Sequence, residues 1–277
     1  MRLPDCTIEG NAMMKENLLR RRLRDGAPTV ATRIWSPWPY MVELAGVSGS
    51  FDYVEYVAEY SPCTQMDMEN LVRAAELYDM GSMIKADFQN RGFVAQKAVG
   101  AGFQSVLFTD HRSAEDVCET IRLMKSETPA SGGQFGYPSR RFISASTYVS
   151  QLEHAARVDE IVLAFMIEKE SAVDDIERIC ALPGVDMVQF GPSDYSMSRG
   201  WNMAEHEKEV HAAEEKVIRT ALSYGVRPRC EIPTANRAEG YRKLGVIDFC
   251  VGDEIAAFRR FLREEGGAMR QYLQQEF

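Results

Sequence analysis

The stretch IVLAFMIEKESAVDDIERICALPGVDMVQFGPSD, residues 161–194, decides the fold. Its first seven residues, Ile161 to Ile167, form an unbroken apolar run. A strand with that pattern has both faces buried, as in a parallel sheet covered by helices. A helical segment follows over 171–180, and a second strand over 185–190. Strand, helix and strand within about thirty residues make a βαβ unit.

Working outward, the same alternation runs through the chain. The spacing predicts further strands at 29–35, 51–57, 82–86, 105–108, 227–232 and 246–251. Helical patterns follow at 39–45, 66–78, 93–101, 113–125, 145–158, 203–224, 234–244 and 254–276. Ser113 stands as an N-cap before Glu115 and Asp116, and Gly245 ends the helix before the last strand. Only 126–142, rich in Gly, Ser and Pro, interrupts the rhythm and reads as a long loop. Eight such units in 277 residues predict one α/β domain, a closed (β/α)8 TIM barrel with a short N-terminal extension over about 1–14. No GxGxxG follows the first strand, which argues against a dinucleotide-binding sheet.

Composition narrows the function. Hydrophobic residues make up 45% and charged residues 26%, an ordinary globular balance. A net charge of -9 opposes general binding to nucleic acid or to an anionic membrane surface. No apolar run is long enough to span a bilayer, and the first residues lack the apolar segment of a signal peptide. The six cysteines form no CxxC pair and read as reduced thiols of a cytoplasmic protein.

In such barrels the chemistry sits at the C-terminal ends of the strands. That rule selects Glu59 and Tyr60, Lys85 and Asp87, Asp110 and His111, then Glu168, Asp194, Glu231 and Asp253. Glu168 ends the apolar strand, where a carboxylate needs a partner. Asp194 follows the next strand in Gly191-Pro192-Ser193-Asp194, close enough for both to reach one hard cation. The competing reading pairs Glu168 with a lysine or arginine and makes Asp194 the cap of a short helix. Residues alone leave the two open.

The run Glu168, Ala172-Val173-Asp174-Asp175-Ile176, Pro183-Gly184-Val185-Asp186, Gly191-Pro192-Ser193-Asp194-Tyr195-Ser196 and Gly200 resembles the HpcH/HpaI aldolase family. Glu43-Leu44-Ala45, Phe51-Asp52-Tyr53, Gly245 and Val251-Gly252-Asp253 extend the likeness. The resemblance implies a barrel of the phosphoenolpyruvate/pyruvate type, usually hexameric, that makes or breaks C–C bonds beside pyruvate with Mg²⁺, Mn²⁺ or Co²⁺. It implies Glu168 and Asp194 as metal ligands, with Gly191, Pro192 and Ser193 cradling the carboxylate of a 2-oxo acid.

The departures fall on proton transfer. Tyr60 stands where the family has a histidine, Gly100 replaces the aspartate that pairs with it, and Met166 replaces a glutamine. Lys85 stands for an arginine that supports the enolate oxygen. A barrel lysine can also form an imine with a ketone. Tyr60 or His111 is then expected to move the proton. Arg140 and Arg141, in the long loop, are candidates for a second anionic group of the substrate.

The reading is thus a metal-dependent carbon–carbon lyase acting on a small 2-oxo acid through a metal-stabilised pyruvate enolate. Decarboxylation of an oxaloacetate-type acid and a catalytically inactive binding barrel are the alternatives. The final helix carries Ile255, Phe258, Phe261, Leu262 and Met269, an apolar stripe that suits a homo-oligomer. Packing on its own barrel is the other reading of that stripe.

Overall fold

The computed structural model describes residues 16–137, 141 and 150–274. Eight strands form the sheet: β1 (Thr29–Ile34), β2 (Tyr53–Val57), β3 (Gly81–Ala86), β4 (Ser105–Phe108), β5 (Val162–Ile167), β6 (Met187–Phe190), β7 (Arg227–Ile232) and β8 (Asp248–Asp253). Each pairs in parallel with the next, and β8 returns to β1, so the sheet closes into a barrel in sequence order. A register shift between Ala31 and Arg33 marks the closing seam.

Around the strands lie α1 (Leu18–Arg24), α2 (Pro39–Val47), α3 (Gln65–Leu77), α4 (Arg91–Ala101), α5 (Ala114–Met124), α6 (Gln151–Asp159), α7 (Glu170–Asp174), α8 (Ile176–Cys180), α9 (Pro192–Ser198), α10 (Glu207–Ser223) and α11 (Ala238–Leu244). The chain ends in α12 (Glu254–Phe261), a π-helical turn at Leu262–Gly266, and α13 (Gly267–Tyr272). Local sequence sets several of these starts. Thr64 and Asp67 form a reciprocal capping box on α3, and Ser113 accepts from Asp116 N–H at the start of α5.

Alternation along the strands builds two apolar layers. Ala31, Tyr53, Met83, Leu107, Ala164, Met187 and Cys250 fill the barrel interior. Val54, Tyr56, Ile84, Val106, Leu163, Phe165 and Val188 face outward into the helices. Leu19 and Leu23 of α1 pack against the inner cluster, so α1 plugs the end of the barrel opposite the strand C-termini. Arg20 fastens the plug through an ion pair with Asp186 at 2.6 Å.

The eight strands stand within two residues of their expected places. The last one runs two residues later than its apolar pattern suggests, which makes Asp253 its final residue and the N-cap of α12. Two helices carry no periodic signal long enough to read: α1, in the segment before the first strand, and α9, which begins at Pro192 directly after Gly191. The expected helix over 171–180 is two short helices that meet at Asp175. The expected extension over 1–14 lies outside the described residues. No helix among the described residues is long and apolar enough to cross a membrane.

Candidate active site

Above the apolar interior layer, the inward positions turn polar. Glu55 of β2 and Arg229 of β7 form an ion pair at 2.5 Å, both fully buried. Arg229 also donates from Nε to Tyr53 Oη at 2.7 Å and from Nη1 to Gln189 Oε1. Burial works against the guanidinium charge, but Tyr53 and Glu55 outweigh it and hold Arg229 well above its ordinary value. Arg33 of β1 bridges Glu231 at 2.6 Å and Asp253 at 3.0 Å. These pairs form a charged floor beneath the barrel mouth.

Lys85 rises from β3 and pairs with Glu59 at 2.6 Å. Burial alone would lower its pKa; Glu59, then Glu55 and Glu168, keep it above the ordinary lysine value. An ammonium held this way by Glu59 does not favour the free amine that an imine needs. Tyr60 lies 5.5 Å from Lys85 Nζ, measured to the ring centre, and stacks on Trp35 at 6.4 Å. Tyr60 is largely exposed; the desolvation it does suffer, then the charges of Glu59, Asp194 and Glu168, raise its phenol above the usual range. Tyr60 therefore stays protonated.

The other half of the mouth holds the two expected metal carboxylates. Glu168 directly follows β5 and is 3% exposed; its Oε1 accepts from Asp110 N–H at 2.8 Å. Burial raises its pKa to about 7, the Asp110 N–H and Lys85 oppose the rise, and the charges of Asp194 and Asp110 add to it. Gly191, directly after β6, lies against this side chain. A Cβ there would stand 2.6 Å from Glu168 Oε2 and 2.7 Å from its Cβ, so only glycine permits the approach. Asp194 lies in the first turn of α9, three residues on.

A cation that the strand pattern did not flag sits between the acids. Lys169 Nζ lies 2.5 Å from Asp110 Oδ1 and 3.4 Å from Asp194 Oδ1, with its side chain 9% exposed. Strict alternation would turn the residue after Glu168 outward. The strand ends at Ile167, however, and Lys169 is the N-cap of α7, which frees its side chain to reach sideways. A basic residue does stand among these acids, as the competing reading held. It contacts Asp110 and Asp194, whereas that reading paired it with Glu168.

A charge count tests whether a dication fits. Asp110, Glu168 and Asp194 bring three carboxylates, and Lys169 is the ammonium in contact with them. Lys85 is committed to Glu59. With all three ionised, one ammonium leaves an excess of two negative charges; the raised pKa of Glu168 comes first from burial, with the Asp194 and Asp110 charges adding to it. Hard oxygen donors with an excess of two negative charges suit Mg²⁺ or Mn²⁺. Among the described residues no cluster of three or more His, Cys, Asp or Glu is arranged to hold a metal.

Three expected residues lie elsewhere. His111 is fully buried among Phe88, Phe108 and Phe165, with Nε2 at 2.7 Å from Thr120 Oγ1. Burial and the charge of Arg91 lower its pKa to about 4, so it is a neutral packing residue and not a proton carrier at the mouth. Arg141 pairs with Glu76 near the C-terminal end of α3 and reaches the Ala101 carbonyl at the end of α4. Both points lie at the opposite end of the barrel, so Arg141 meets no substrate group at the mouth. Arg140 lies outside the described residues.

The family model described as HpcH/HpaI aldolase/citrate lyase matches residues 64–251. The chain belongs to this family. A hydroxypyruvate/pyruvate aldolase of Pseudomonas aeruginosa is 25% identical over 92% of this chain and 93% of its own length. A 2-keto-3-deoxy-L-rhamnonate aldolase of Escherichia coli K12 is 25% identical over 78% of each chain. Among solved structures, an HpcH/HpaI aldolase from Desulfitobacterium hafniense DCB-2 superposes with a TM-score of 0.80 at 25% identity, covering 91% of this chain and 96% of its own. Membership in this family makes the protein an enzyme of the aldolase-type lyase class.

Proposed function

We propose that the protein breaks the carbon–carbon bond one carbon removed from the carbonyl of a small 2-oxo acid, releasing a pyruvate enolate, with the help of a divalent cation. The observation that carries this reading is the excess of two negative charges around Glu168, Asp194 and Asp110 at the strand C-termini. Glu168 and Asp194 would hold the ion, and substrate and water would complete its shell. When bound, a dication supplies a Lewis acid that draws electron density off the carbonyl.

The remaining work falls to the chain's own groups. In the first turn of α9 the Gly191 N–H is taken by the Ile167 carbonyl and Pro192 has none, so the backbone N–H groups of Ser193 and Asp194, which have no intrahelical acceptor, are the ones available to the substrate carboxylate. Lys85 is largely shielded from solvent, charged and fixed by Glu59, so it balances the negative charge that grows on the carbonyl oxygen without reorganising. Tyr60, protonated and beside Lys85, delivers a proton to the carbon released by cleavage. Glu59, in contact with Lys85 and next to Tyr60 in the chain, accepts the proton taken from a substrate hydroxyl when cleavage is of the aldol type.

One observation favours a second reaction through the same site. Glu59 is already paired with Lys85, and His111 is buried away from the mouth. Decarboxylation of an oxaloacetate-type acid needs no hydroxyl deprotonation, so it tolerates a weak base. Pyruvate release from oxaloacetate and from a panel of 4-hydroxy-2-oxo acids separates the two. Release that requires Mg²⁺ or Mn²⁺ and stops on chelation supports the reading. Metal-independent release, or none from either class, refutes it.

The reading includes a homo-oligomer. Arg259, Arg260 and Arg263 of the final helix turn toward a cavity shared with Trp35 and Asp253 at the mouth. Phe258 and Phe261 are 61% and 58% exposed on the other side. A helix that follows β8 yet leaves its aromatic face uncovered is suited to pack against a second copy of the chain.

A further inference from the structure

We propose that Lys169 is a resident competitor that sets how tightly the mouth holds a divalent cation. The inference rests on the metal reading above and concerns a residue which that reading does not use.

Lys169 is itself buried and is placed by two carboxylate contacts, not by chance on a solvated surface. Its ammonium touches Asp110 at 2.5 Å and Asp194 at 3.4 Å, and its side chain is 9% exposed. The two contacts are unequal. Asp110 is the anchor, and Asp194 is the looser partner.

Asp110 is itself an unusual anchor. Its φ is +61°, one of two non-glycine residues with positive φ among the described residues. A non-glycine residue in that region costs conformational energy and persists where its surroundings demand it. The twist lets one residue do two things at once. Its N–H binds Glu168 Oε1 at 2.8 Å, and its carboxylate holds Lys169. Asp110 thus ties the ammonium to one candidate ligand while the ammonium reaches the other.

The consequence follows from charge. A dication arriving between Glu168 and Asp194 must take Asp194 from Lys169 and then sit beside a fixed positive charge. Because the Asp194 contact is the looser, the exchange is possible: Lys169 stays on Asp110 and gives up Asp194. Because the ammonium stays on Asp110, the ion is held more weakly than Glu168 and Asp194 alone would hold it. The arrangement yields a cation bound reversibly and kept in place by the substrate's own oxygens.

The test is the affinity of the full-length protein for Mn²⁺ alone, read by the electron paramagnetic resonance signal of free Mn²⁺ or by calorimetry, with no substrate present. Lys169→Met should lower the Kd at least tenfold. Lys169→Gln, which keeps a donor for Asp110, should lower it in the same direction and serves if the methionine variant does not fold. Lys169→Arg keeps the charge and should stay within about threefold of wild type. An unchanged or higher Kd in the Met and Gln variants overturns this role while leaving the metal reading intact. Absence of Mn²⁺ binding in every variant and in wild type removes both.

Discussion

Replacing Glu168 with glutamine should make the metal-free protein more stable at pH 8 while abolishing its activity. Glu168 has an ordinary value of 4.5 and a folded value of about 7, because burial and the neighbouring Asp194 and Asp110 charges penalise its ionised form. A tenfold change in proton affinity is worth roughly 1.36 kcal/mol, so ionised Glu168 costs the fold about 3 kcal/mol. The sign follows from proton binding. The folded state holds the proton more tightly, so the associated stability is complete below about pH 4.5 and is lost as pH rises through 7. Glutamine never ionises, and its amide oxygen can still accept from Asp110 N–H. Urea unfolding in a chelating buffer should therefore show a gain of about 2–3 kcal/mol at pH 8 and little difference at pH 4.5. For a chain of this size that gain corresponds to a Tm higher by roughly 6 °C. A glutamine variant no more stable than wild type at pH 8, or equally stabilised at both pH values, would refute the reasoning.

Other perturbations test other parts of the molecule. Arg229→Met leaves Glu55 buried without its partner, and urea unfolding should register a loss of about 3–5 kcal/mol. Gly191→Ala puts a methyl group 2.6 Å from Glu168 Oε2. It should cut kcat/KM by at least about a hundredfold, as a small misplacement of a reacting group does, with circular dichroism still that of the native barrel. Phe258→Glu combined with Phe261→Glu charges the uncovered face of α12, and light scattering should show the assembly falling to smaller species.

The barrel is legible in the sequence because its signal is repeated. The apolar run 161–167 reads as a doubly buried strand by itself, and seven further strand–helix units agree with it. Glu168 is legible for the same reason, since a carboxylate ending such a strand stands out. Lys169 is not, because the alternation that places Glu168 inward places its neighbour outward until the strand is known to stop at Ile167. Glu55 and Arg229 are masked differently. Each is a charge inside a strand, and nothing in one strand announces that its partner waits across the barrel on another. His111 and Arg141 show the opposite failure. Their positions in the chain suggest the mouth, but a turn after β4 buries one ring behind the sheet, and a long loop carries the other residue to the far end.

The proposed chemistry stands on one cation bridging Glu168 and Asp194. A crystal grown with Mn²⁺ and oxalate, a mimic of the enolate form of a 2-oxo acid, tests it by anomalous scattering. The expected result is a single Mn²⁺ peak in contact with one oxygen of each carboxylate and with both ends of the oxalate, Lys169 remaining on Asp110 alone. A mouth with no peak, with Lys169 still on Asp194, or a peak held by other residues, contradicts it.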